Sequence, residues 1–146
     1  MAKTVAAAIA RVQEVMATVT SDDSSIRSLP EFPPDMIGVY PASVVSVGNA
    51  EWHCGAGQRE FRGDIIIRLF VPRMTPNLSR AHELLLGYAE SMANAFEADN
   101  EVTLNGTVEQ IDFPIYQDEP VEGVWGTDEL VMLRWRMRVI IANAIT

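Results

Sequence analysis

One cysteine, one lysine and two histidines are all that this 146-residue chain holds of those residue types, and each shortage removes a class of function. A lone Cys54 forms no internal disulfide, which fits a reducing compartment. His53, His82 and Cys54 fall short of a four-ligand structural zinc site unless carboxylates or another subunit contribute, so neither metal nor cofactor is expected. Long apolar runs are missing as well. Nothing approaches the roughly 18 residues of a membrane span, and the opening "MAKTVAAAIARVQEVM" lacks the apolar core of a secretory signal. The expectation is a soluble, cytoplasmically made protein with no membrane partner. Positive charge is scarce too: 11 basic against 20 acidic residues give a formal charge of -9, and nucleic-acid surfaces need clustered cations to meet phosphates. Lys3 is the only lysine. Arginine suits planar, bidentate or buried pairing, so its dominance among the cations points toward interfaces.

What the chain does have is apolar content, 48% of residues, enough for the core of one domain over 1–146 without a staple. Val5, Ile9, Val12, Met16 and Val19 recur at helical spacing among alanines and predict a helix docked on the core. The acidic, proline-rich "TSDDSSIRSLPEFPPD" (20–35) predicts an irregular connection, long for a plain linker and so a candidate docking arm without the apolar content to pack alone. "MIGVYPASVVSVGNAEW" reads as an edge strand interrupted by Pro41 and ended by a turn at Gly48-Asn49. In "EFRGDIIIRLFV", Phe61, Ile65, Ile67, Leu69 and Val71 share one face of a second strand, with Arg62, Asp64 and Arg68 on the other. Thr75-Pro76 predicts a helix start, and Leu78, Ala81, Leu85, Ala89, Met92 and Phe96 form its buried stripe up to a stop at Asp99-Asn100. Beyond it come an Asn105-Gly106 turn and the alternation Glu109, Ile111, Phe113, Ile115. The order helix, two strands, helix, two or more strands predicts an α+β fold, a mainly antiparallel sheet with two helices on one face.

The last predicted strand, "LVMLRWRMRVII", is the most informative segment. Val131, Leu133, Trp135, Met137, Val139 and Ile141 face one way, toward the helices. Opposite them Arg134, Arg136 and Arg138 stand in succession, roughly 7 Å apart, between apolar neighbours. Such a ladder requires counter-charge. Glu109, Asp112 or Asp64 on neighbouring strands can supply it internally, and a negative partner can supply it from outside. Nine acids cluster in 20–35 and in "YQDEPVEGVWGTDEL", which holds Asp118, Glu119, Glu122, Asp128 and Glu129 in a predicted loop at about 117–129. With Arg62, Arg68 and the ladder they make a candidate interface, within one subunit or between copies.

Catalytic constellations are few. His53 and Cys54 are adjacent and take opposite faces of any strand, so the imidazole is badly placed to activate the thiol. The glycines of "WHCGAGQ" lack the strand and helix context of a nucleotide loop. Asp118-Glu119 and Asp128-Glu129 lie where no apolar pocket is evident to raise a carboxyl pKa.

In length and element order the whole chain resembles the small tail terminator and tail-completion proteins of long-tailed bacteriophages, including the minor tail protein U type. The matching segments are "TVAAAIARVQEVM", "DDSSIRSLPEFPPD", "FRGDIIIRLFV", "NLSRAHELLLGYAESMANAF" and "LVMLRWRMRVIIA". The resemblance implies a non-enzymatic virion protein, a subunit of a ring, typically hexameric, that ends tail-tube polymerisation and joins the tail to the head. Its partners would be copies of itself, the tail tube protein and a head-completion protein, with DNA passing through the lumen unbound. Its place would be the head-proximal end of the tail, and the host cytoplasm during assembly. The alternatives are another head-tail connector class, or a small enzyme with a site near His53 and Cys54.

Overall fold

A computed structural model describes residues 4–35, 37–73, 78–97, 103–125 and 128–144. The expected helix start at Thr75-Pro76 and stop at Asp99-Asn100 lie outside the described residues, as does the side chain of Phe113. Helix α1 runs Val5–Met16, and the Thr4 side chain accepts from the Ala7 amide at 3.0 Å, satisfying one of the free donors at its start. Ala8, Ile9, Val12, Val15 and Met16 are buried on its inner stripe.

The next stretch corrects the expectation of an irregular arm. Thr20–Ser21 (β1) and Ser24–Ser25 (β2) close a small antiparallel hairpin whose turn residues, Asp22 and Asp23, have φ of 52° and 63°. Two positive-φ residues match the right-handed twist of a tight hairpin, and aspartate tolerates that region better than most side chains. Ile26 is buried in the main core, and the buried Gln13 donates its Nε2 hydrogens to the carbonyls of Pro30 (2.8 Å) and Ser43 (2.7 Å). The segment is therefore fastened to α1 and to the sheet as far as residue 30. Its continuation crosses the sheet edge, since Ile37 packs into a second cluster on the far face.

Strands β3 (Ala42–Gly55) and β4 (Gln58–Pro72) form one long hairpin. The expected turn at Gly48-Asn49 is instead a register shift between Val47 and Ala50. A Cβ on Gly48 would lie 2.6 Å from Ile66 Cδ1, so the glycine permits the close approach there. The chain reverses at Ala56-Gly57, with φ of 50° and 75°. After helix α2 (Leu78–Phe96) come β5 (Gln110–Gln117), β6 (Val121–Trp125) and β7 (Asp128–Ala144). β6 corrects the expectation of a loop across 117–129. The acids dominate that stretch in sequence, but Val121, Val124 and Trp125 are good strand formers, and β6 pairs with the start of β7. The expected Asn105-Gly106 turn is present, with positive φ at Leu104, Asn105 and Gly106.

All pairings in the five-stranded sheet are antiparallel, in the order β3-β4-β7-β5, with β6 following β5 along the same side of β7. Both helices cover one face. There Phe61, Ile65, Ile67, Leu69 and Val71 of β4 and Val131, Leu133, Trp135, Met137, Val139 and Ile141 of β7 meet the stripes of α1 and α2. Each large aliphatic side chain taken out of water contributes about 1.5–3 kcal/mol, which makes this layer the source of the fold's stability. The α+β architecture with two helices on one face is as the sequence predicts. Leu84 and Tyr88 widen the α2 stripe beyond the expected residues.

Gly87 allows α2 to approach the β1–β2 hairpin closely. A Cβ there would collide with Ser21 Oγ and sit 3.0 Å from Ser21 Cβ. Gly87→Val is expected to destabilise the fold by about 1–3 kcal/mol through overpacking. Denaturant unfolding checks this, and pairing it with Ser21→Gly should recover part of the loss; an unchanged midpoint in the single variant would show that α2 does not rest on the β1–β2 hairpin.

Candidate functional site

On the sheet face away from the helices, side chains line up by strand parity. At one end Ile37, Ala42, Val44, Phe70 and Leu130 form a small second core, with Tyr40, Trp125 and Met132 packed against it. Phe70 and Trp125 meet edge to face at 5.2 Å between ring centroids. The apolar start of "LVMLRWRMRVII" is thus covered by the chain's own 37–41 segment. Tyr40 fastens that cover, its hydroxyl donating to Asp128 Oδ2 at 2.7 Å.

Burial, the hydrogen bond to Asp128 and that carboxylate's charge push the Tyr40 phenol up to about 12. A folded-state pKa raised above the unfolded value of 10.0 favours the protonated form. Its contribution to stability is full below about 10 and is lost as pH climbs toward about 12. Asp128→Asn should move the Tyr40 transition down without returning it to the ordinary value, because burial remains. Ultraviolet titration of the phenolates, with Tyr40→Phe to assign the transition, tests this; an unmoved transition would show that Asp128 does not set it.

Next to the covered end stand the arginines. Arg68 of β4 and Arg134 of β7 are direct cross-strand partners, like charges placed opposite each other. Burial first, and Arg134's charge second, lower the pKa of Arg68 from its ordinary value. Arg68 donates to Ser46 Oγ at 3.0 Å and has no carboxylate partner among the described residues. Arg134 Nε reaches Asp118 Oδ2 at 2.5 Å. Arg138 pairs with Asp64 at 3.5 Å, and both Asp64 and Asp112 are its register partners. Between these two pairs Arg136 is exposed. Its guanidinium lies 5.6 Å from the centre of the Tyr116 ring, a cation–π contact, again without a carboxylate among the described residues.

The structure therefore brings together Arg68, Arg134, Arg136, Arg138 and Asp118. Internal pairing covers two rungs of the ladder and leaves two cations short. Arg62 is turned to Glu60 further along the same face. Glu122 reaches Arg73 at 3.6 Å, Asp128 serves Tyr40, and Glu119 and Glu129 are exposed and away from the ladder's pairs. Tyr116 and Ser46 complete the surface and were not legible in sequence, because their place depends on register across the sheet and on the irregular stretch of β5 between Asp112 and Tyr116.

His53 and Cys54 lie on the bare outer part of the β3–β4 hairpin. His53 faces Glu60 and Cys54 faces Arg59, which puts them on opposite faces. His53 Nε2 lies 3.3 Å from Glu51 Oε2, both exposed. Three or more metal-ligating side chains do not converge anywhere among the described residues. A cavity of about 510 Å³ opens between the second half of α2 and β5, lined chiefly by Met92, Phe96, Ile115 and Trp135. There is no pairing of nucleophile and base among the described residues that line it. Among the described residues no helix is long and apolar enough to cross a membrane. Neither protein-family models nor curated proteins match the chain.

Proposed function

We propose that the protein is a structural ring subunit of a long-tailed bacteriophage, a tail terminator that caps the tail tube, ends its polymerisation and joins tail to head. The observation that supports this most is the arginine face. A chain of formal charge -9 concentrates Arg68, Arg134, Arg136 and Arg138 on one uncovered sheet surface and leaves Arg68 and Arg136 without carboxylates among the described residues. Such a surface is suited to an acidic protein partner, and copies of an acidic chain are such partners. The element order on which the resemblance rests, a helix, a strand pair, a long helix and a closing set of strands, is compatible with the fold, which adds the small β1–β2 hairpin after the first helix. The site geometry supplies recognition rather than chemistry. The subunit's work is to associate, with itself in a ring of about six and with the tube end.

Sedimentation velocity over a concentration series, with and without purified tail tubes lacking their terminator, tests the proposal. Self-association or capture on tube ends is expected. A chain that stays monomeric and ignores tube ends at every concentration refutes it. The conduit role adds a separate expectation, negligible duplex DNA affinity at physiological salt, because a lumen that holds phosphates impedes transit. A micromolar, salt-sensitive dissociation constant in a fluorescence titration would overturn that role.

A further inference from the structure

Two surfaces at opposite edges of the sheet are complementary. At the β3 edge, the segment that crosses from the helix side to the far face exposes Glu31, Phe32 and Asp35; Phe32 is 60% exposed, between Pro30 and Pro33, whose rings restrict the backbone on either side of it. Neither acid has a cationic partner among the described residues. Toward the opposite edge, Arg136 of β7 and Tyr116 of the edge strand β5 present a cation and an aromatic ring that is 57% exposed. One edge offers acid, aromatic ring, acid. The other offers cation and aromatic ring.

We infer that the strap 31–35 of one copy docks on the Arg136–Tyr116 surface of a second copy, so that subunits join head to tail. This rests on the ring reading and specifies its contact. The occupant is a second copy because the chain itself carries both halves, and because they lie at opposite edges where one subunit cannot satisfy its own. A contact between two different surfaces is heterologous, and repetition closes it into a ring or extends it as a filament; a twofold dimer would need one surface to match itself. Phe32 and Tyr116 supply apolar area, and the charges set direction and register.

Two full-length variants test this, Arg136→Ala with Tyr116→Ala, and Glu31→Gln with Phe32→Ala and Asp35→Gln, neutral changes so that the two altered surfaces do not attract each other, each first shown to unfold at a Tm near that of the parent. Each alone should remain monomeric at concentrations where the parent assembles. Mixed in equal amounts, they should form a one-to-one dimer and nothing larger, because one keeps a working strap and the other a working patch. Assembly of either single variant like the parent overturns the docking pair and leaves the ring reading standing, with its contact elsewhere or its arginine face given to a different acidic protein. Absence of any complex in the mixture, or dimers formed by one variant alone, also overturns it. A parent chain that never associates, alone or on tube ends, removes the ring reading and the docking with it.

Discussion

Replacing Arg134, Arg136 and Arg138 together by glutamine is expected to leave the chain folded and to remove the proposed assembly. The fold survives because the opposite side of the same strand holds the core; Val131, Leu133, Trp135, Met137 and Val139 are all buried. Among the described residues the change removes two ion pairs and the Arg136–Tyr116 contact; the paired side chains are 38% and 34% exposed for Arg134 with Asp118, and 44% and 18% for Arg138 with Asp64. Pairs this open to solvent are worth about 0–1 kcal/mol each, so the expected fall in Tm is at most roughly 8 °C. Assembly loses more. A cation enclosed by a partner leaves an uncompensated carboxylate when it is removed, which costs several times the value of an exposed pair. Because the change also makes an acidic chain more acidic, Arg11, Arg59 and Arg80 changed to glutamine provide a control of equal charge, expected to assemble. Thermal unfolding alongside sedimentation decides. A triple variant that fails to fold makes the ladder an internal strut, and one that folds and assembles like the parent makes it a solvated surface.

The second large effect belongs to the helix side of that strand. Trp135 is 1% exposed, the largest of the fully buried side chains, and its indole Nε1 donates to Gln117 Oε1 at 2.9 Å. Trp135→Ala opens a void beside the cavity under α2 and strips Gln117 of its donor, so a loss of about 3–5 kcal/mol is expected. For a chain of this size that is a large part of the total stability, and Tm should fall by roughly 10 °C or more. Guanidinium unfolding measures it directly. A loss under about 1 kcal/mol would mean that α2 settles into the space and that the β5–α2 contact is soft.

Parity made much of this visible in advance. The alternation in β4 and β7 assigns faces without knowledge of partners, because successive side chains must point to opposite sides. Arg134, Arg136 and Arg138 could therefore be placed on the face away from the helices from sequence alone. Their partners could be narrowed to acids on neighbouring strands, Asp64 among them, but not assigned rung by rung. Whether Arg138 meets Asp64 or Arg136 meets Tyr116 depends on register, which is fixed by pairing between segments dozens of residues apart. The misread segments have a common cause. In 20–35 and 117–129 acids and prolines outweigh the strand formers, yet a two-residue ladder or a five-residue edge strand needs little propensity once a neighbour supplies its hydrogen bonds. At Gly48-Asn49 the composition of a turn marked a bulge instead, since only the approach of Ile66 tells the two apart.

β7 is flanked by β4 along one side and by β5 and then β6 along the other, and it follows all three in the chain. During synthesis, β4 is therefore made with β3 as its only sheet partner, and its second row of amides and carbonyls waits while α2, β5 and β6 emerge. Closing that gap requires a strand some 60 residues further on, an ordering cost met before most of the core contacts form. Until Asp128 and its successors arrive, the nascent subunit carries an unpaired, strongly apolar strand edge of the kind that sticks to other chains. The strand that displays the arginines is thus also the one whose arrival pairs the open edge of β4 and completes the apolar layer beneath the helices.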